Sequence, residues 1–193
     1  MKRSVVYLVC LFALVVMAGM AIPSASASPV ALPTPNPFPN MILNPGFEGR
    51  RTGNNFAYWD EADQDLCSIY AETSVRHSGL VSARIECDDP NGVPKLESNY
   101  VDLDYGPYTL TFWTRGDGTN AGIYKIANEG LLPAEVNGWH STGVSGTSWQ
   151  KVTVNFIAPL DFGGTWIDFT VAYDIEEFRT AYFDDVSLVA GGF

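Results

Sequence analysis

From residue 41 onward, apolar and polar side chains alternate in short runs, and turn-forming clusters cut the runs at intervals of roughly 8–12 residues. A helix cannot use a period of two, so half-buried strands are the regular structure open to most of the chain. The pattern predicts strands over Met41–Asn44, Cys67–Thr73, Val81–Cys87, Leu96–Leu103 and Tyr108–Arg115. It predicts further strands over Gly122–Ala127, Trp139–Val144, Trp149–Ala158, Trp166–Asp174 and Ala181–Val189. Asp88-Asp89-Pro90-Asn91-Gly92, Gly116-Asp117-Gly118 and Gly163-Gly164 supply turns between them, because Gly, Asn and Asp tolerate positive φ. Many short strands of this kind bury one face each, so the expected class is all-β: a two-sheet antiparallel β-sandwich or jelly roll.

Alternation also assigns the faces. Val152, Val154 and Phe156 share one side of their strand, with Lys151, Thr153 and Asn155 opposite. Ile167, Phe169, Val171 and Tyr173 oppose Trp166, Asp168, Thr170 and Ala172. Leu110 and Phe112 oppose Thr109, Thr111, Trp113 and Arg115. The first set of each group is the predicted core. Trp113 and Trp166 therefore stand on otherwise polar faces.

The segment before the strands is of another kind. Lys2 and Arg3 precede an uncharged apolar run from Val5 to Ile22, and Ala25-Ser26-Ala27 follows as a small-residue cleavage site. Residues 1–27 thus read as a secretory signal peptide, with an uncleaved N-terminal membrane anchor as the alternative. Residues 28–40 carry Pro29, Pro33, Pro35, Pro37 and Pro39 and read as an extended Pro-rich linker. Removing Lys2 and Arg3 moves the formal net charge from −11 to −13. So acidic a chain cannot neutralise a run of phosphates, which argues against nucleic acid and, after signal cleavage, against anionic membrane surfaces. A secreted or extracellular location is expected.

Cys67 and Cys87 are the cysteines beyond the signal, and an even count in an exported chain favours a disulfide over two buried thiols. Acidic residues mark both ends of the strand region, in Asn44-Pro45-Gly46-Phe47-Glu48 and Phe183-Asp184-Asp185. First and last strands of a jelly roll are commonly neighbours, so Glu48 and Asp184 can meet; a Ca²⁺ ion would relieve their repulsion, whereas apart they are solvated surface acids. Aromatic residues are 13% of the chain, with five tryptophans. Tryptophan and tyrosine rings stack on the C–H faces of sugars while polar neighbours bond the hydroxyls. Trp113 and Trp166, with Arg115 and Asp168 beside them, are the candidate platform; Tyr124 could extend it, and Trp59 and Trp139 could line its rim. The competing account has a loop covering both tryptophans.

Several segments in order carry a resemblance. Met41-Ile42-Leu43-Asn44-Pro45-Gly46-Phe47-Glu48 with Trp59, Val75-Arg76-His77-Ser78-Gly79-Leu80-Val81-Ser82-Ala83 and Gly106-Pro107-Tyr108-Thr109-Leu110-Thr111-Phe112-Trp113 are three of them. Trp149-Gln150-Lys151-Val152 and Phe183-Asp184-Asp185-Val186-Ser187-Leu188 complete the set. Together they resemble the carbohydrate-binding modules of bacterial cellulases and xylanases, families four, nine and twenty-two, over nearly all of residues 41–190. The resemblance implies a galactose-binding-domain-like jelly roll, a polysaccharide or glycan as partner and no catalysis. It also implies a structural Ca²⁺ held by Glu48 and Asp184 with the carbonyls of His77 and Leu80.

Two other readings stay open. A surface or matrix protein could use the same fold for protein contacts. A small jelly-roll glycosidase or lyase would need two carboxylates across a cleft. Asp102 and Asp104, or Asp174, Glu176 and Glu177, are the candidates, though both sets read as turn residues. With His77 and His140 the sole histidines, a His-rich catalytic metal site is not expected.

Overall fold

A computed structural model describes residues 39–48, 56–62, 67–89, 92–118, 121–128, 138–160, 163–171 and 179–191. Residues 1–27, expected to be a signal peptide, and most of the expected linker lie outside them, as do Asp174, Glu176 and Glu177 and the strand-face residues Ala172 and Tyr173.

Among the described residues there are eleven strands and no helix. They are β1 (Trp59–Ala62), β2 (Cys67–Glu72), β3 (Ser82–Cys87), β4 (Lys95–Ser98), β5 (Val101–Asp102) and β6 (Gly106–Gly116). Then come β7 (Gly122–Asn128), β8 (His140–Ser141), β9 (Gln150–Ala158), β10 (Gly164–Val171) and β11 (Arg179–Ala190). The first sheet runs β1-β4-β10-β7-β8, with β5 also pairing β10. The second runs β2-β3-β11-β6-β9. Every pairing is antiparallel. The expected all-β sandwich is the fold observed.

Between the sheets lies the apolar half of each alternating strand. Leu96, Leu110, Phe112, Ile126, Ile167, Phe169, Phe183 and Leu188 are all buried there. Phe169 and Phe183 stack across the two layers with ring centroids 4.4 Å apart. The faces assigned from alternation on β6, β9 and β10 are the faces found.

Three expected strands differ, and one observed strand was not among those expected. Met41–Asn44 is not a strand: Asn40 and Asn99 side chains occupy its backbone, and Asn44 turns into the left-handed region at φ 48°. The expected Leu96–Leu103 strand breaks into β4 and β5 at Asn99-Tyr100. Trp139–Val144 shortens to a two-residue pairing, and β1 was not anticipated at all. The described fold is anchored from Asn40, whose amide donates to Val186 O at 2.9 Å and whose Oδ1 accepts from Leu188 N at 2.9 Å. Met41 N donates to Leu188 O.

Cys67 and Cys87 form a disulfide between directly opposed residues of β2 and β3. It ties the edge strand of the second sheet to its neighbour.

Candidate functional site

On the solvent side of the first sheet, strand register sets a row of side chains. Asp60 of β1 opposes Glu97 of β4, Glu97 opposes Asp168 of β10, and Asp168 opposes Lys125 of β7. Alternation sends all four outward, because Leu96, Ile167 and Phe169 beside them face the core. One step along β10 stands Trp166, stacked on Tyr100 with centroids 5.9 Å apart and planes 18° apart. Tyr100 lies flat against Gly164, where any β-carbon would collide with its ring. The glycine is thus what lets the two aromatics pair. Beside them opens a cleft of about 330 Å³ lined by Asp60, Glu97, Ser98, Asn99, Tyr100 and Trp166. At the other end of the row the Lys125 ammonium sits over the Trp139 ring, 5.7 Å from its centroid.

Asp168 is unusual for an outward-facing residue: it is 3% exposed. The Trp166 indole N–H donates to its carboxylate. Its Oδ1 has no hydrogen-bond partner among the described residues. Burial first, then the charge of Glu97, push the carboxyl up to about 7, against the opposing influence of Lys125 and Lys95.

The expected platform divides. Trp166, Asp168 and Trp139 share the first sheet's outer face, but Trp113 and Arg115 belong to the second sheet. Trp113 opposes Asp184 and is roofed by His77, whose ring stacks on it at 3.8 Å and 16°. For this tryptophan the covering-loop account holds. Arg115 lies over Tyr182 at 5.1 Å, in the second sheet rather than in that of Asp168. Tyr124 opposes core residue Phe169 and packs on Phe112, so it turns inward instead of extending the surface. Trp59 is buried against Phe47 and Phe169, with its indole N–H on Asn44 O at 3.1 Å, and is core rather than rim. Tyr100, Asp60, Glu97 and Lys125 were not foreseen. Outward alternation in Lys95-Leu96-Glu97-Ser98 could have found Glu97.

Glu48, His77, Leu80 and Asp184 come together at the opening and closing segments. Val186 N donates to Pro45 O, and a bulge in the β6–β11 register with Asp185 at φ 49° fixes the two aspartates. Asp184 Oδ2 accepts from His77 N at 2.9 Å and Ser78 N at 3.0 Å. Glu48 Oε1 accepts from Leu80 N at 2.6 Å and Val81 N at 3.1 Å. Asp185 receives the Ser78 hydroxyl at 2.7 Å and lies 2.6 Å from His77 Nδ1. Burial first, then the Asp185 charge, raise the Asp184 carboxyl to about 6 despite those N–H bonds. Carboxylate oxygens gathered around Gly46 suit a hard cation. The loop, however, turns amide N–H groups rather than the expected carbonyls toward them. Among the described residues no three acidic, His or Cys side chains meet at metal-holding distance.

Of the catalytic candidates, Asp102 and Asp104 are exposed residues at and beyond the short β5, and Asp104 O accepts the Tyr108 hydroxyl at 3.1 Å.

No protein-family model and no curated protein matches the chain. Solved structures share its fold. The carbohydrate-binding module TmCBM61, solved in complex with β-1,4-galactotriose, is 21% identical, with a TM-score of 0.59 over 79% of this chain and 99% of that one. The xylan-binding domain CBM22-1 of Xyn10C from Paenibacillus barcinonensis is 9% identical, with a TM-score of 0.52 over 80% of this chain and 97% of that one. The enzymatically active domain of tailspike protein 4 from bacteriophage CBA120 is 12% identical, with a TM-score of 0.59, but the match spans 21% of that chain. What these structures share with the chain is the two-sheet jelly-roll fold.

Proposed function

We propose that this protein is an exported, non-catalytic glycan-binding module that takes its ligand on the outer face of the first sheet. The observation that carries the reading is the Tyr100–Trp166 pair beside a polar cleft. A large ring on an outward strand face contributes nothing to the core between the sheets, so its position needs another use. Stacked aromatics offer an apolar wall for a sugar's C–H face, and Asp60, Glu97 and Asn99 offer partners for its hydroxyls. Modules of similar fold solved with galactotriose or described as xylan-binding support this. Export is supported by the signal-like residues 1–27 and by the disulfide. Titration of the protein with a panel of neutral β-linked oligosaccharides tests the reading. At least one should bind, and Trp166→Ala should weaken it by about tenfold or more, roughly 1.4 kcal/mol. Trp113→Ala, under its histidine roof, should lower melting and leave affinity unchanged. Binding unaffected by Trp166→Ala would sink the site, and release of reducing ends would sink the non-catalytic role.

We also propose a structural calcium at Glu48 and Asp184, joining the opening segment to β11. A ligand of the native state at one hundred times its Kd adds about 2.7 kcal/mol. Chelator should therefore lower the melting temperature of wild type and leave Asp184→Ala unmoved. A purified protein free of calcium, with melting indifferent to chelator, would remove the ion from the account.

A further inference from the structure

Like charges set directly opposite one another destabilise a sheet. The first sheet nevertheless places Asp60, Glu97 and Asp168 side by side on three adjacent strands, facing outward. The innermost is buried, with one carboxylate oxygen lacking a hydrogen-bond partner among the described residues. The row's single base is Lys125, at its far end and engaged with Trp139; Lys95 lies outward one step along β4. Neither lysine lines the cleft, whose walls hold two carboxylates and two aromatic rings. A ligand bringing its own cation to Asp60 and Glu97 in the cleft would offset the repulsion. Aromatic faces attract an organic ammonium as well as a sugar's C–H surface.

From this juxtaposition we infer that the glycan taken by the cleft is built of 2-amino-2-deoxy sugars bearing free ammonium groups. The inference rests on the reading of this cleft as a glycan site. The ammonium sits toward Glu97 and Asp60 while the ring stacks on Trp166 and Tyr100. The surrounding charge acts in the same direction, because a chain with a formal net charge of −11 attracts polycations and repels uronate polymers.

Three probes of one length separate the possibilities: the β-1,4-linked tetrasaccharides of glucosamine, N-acetylglucosamine and glucose, titrated into the full protein in mildly acidic buffer. The glucosamine probe should bind at least about tenfold tighter than the other two, an advantage that shrinks with added salt. Glu97→Gln and Asp60→Asn should each shrink the ratio of glucosamine to glucose tetrasaccharide affinity, measured within the same variant, by about threefold or more. Either variant suffices if the other fails to fold. Equal or tighter binding of a neutral probe overturns the amino-sugar inference and leaves the glycan site standing. Binding of no probe overturns both. A glucosamine preference that survives Trp166→Ala reflects diffuse attraction to an acidic protein and overturns the inference as well.

Discussion

Asp168 stands on a strand face that alternation marks as wet, yet it is almost fully enclosed beside a second carboxylate. Its proton is consequently held more tightly in the fold, with a pKa of about 7, than in an unfolded chain, where 3.8 is ordinary. Between those two values the native state binds more protons than the unfolded one, so its share of stability is lost as pH rises, and the full cost is present above 7. Asp168→Asn removes the charge. The variant should be more stable than wild type above pH 7, and the gap should close below pH 3.8, as read by denaturant unfolding at both ends. A variant destabilised at high pH would mean that the carboxylate has a compensating partner. Trp166 was visible in the sequence as an apolar residue out of place. Tyr100 was not, because an unbroken strand through 96–103 would place it with Leu96 and Ser98, toward the core. Asn99, whose side chain accepts from Leu43 N at 2.7 Å, is part of the break that turns it outward.

Long strands were legible and short ones were not. β6, β9 and β11 each show enough alternation to declare a face, and their observed spans differ from expectation by one or two residues. β1 has four residues, too few to show a period, and owes its place to Trp59 packing in the core. Alternation also says which face of a strand a residue occupies but not what lies above it, which is why Trp113 and Trp166 look alike in sequence. The disulfide belongs to this scale too. It staples β2, which pairs β3 and lies at the sheet's edge, across a separation of 20 residues. In the chain-entropy picture that loop is worth about 3 kcal/mol. Replacing both cysteines by alanine should lower unfolding free energy by roughly that amount. An unchanged denaturation midpoint would show that β2 holds without the staple.

At the scale of the whole sandwich, the aromatic cleft and the carboxylate latch occupy outer faces of different sheets, with the shared core between them. Sites that share no partner act additively. The double variant Trp166→Ala/Asp184→Ala should show the affinity loss of the first and the melting loss of the second, each unaltered. Coupling beyond about 0.5 kcal/mol would mean that strain crosses the core. The Asn40 clasp carries a consequence of timing. Its Oδ1 bonds Leu188 N across 148 positions, and Pro45 O receives Val186 N, so the opening motif is finished by the closing strand. A ribosome delivers the first of these partners long before the second. Until β11 emerges, the central place between β3 and β6 is vacant and the nascent sheet has two unpaired edges. Native closure of the second sheet therefore waits until β11 has been synthesised, and a chain truncated before it cannot complete the sandwich.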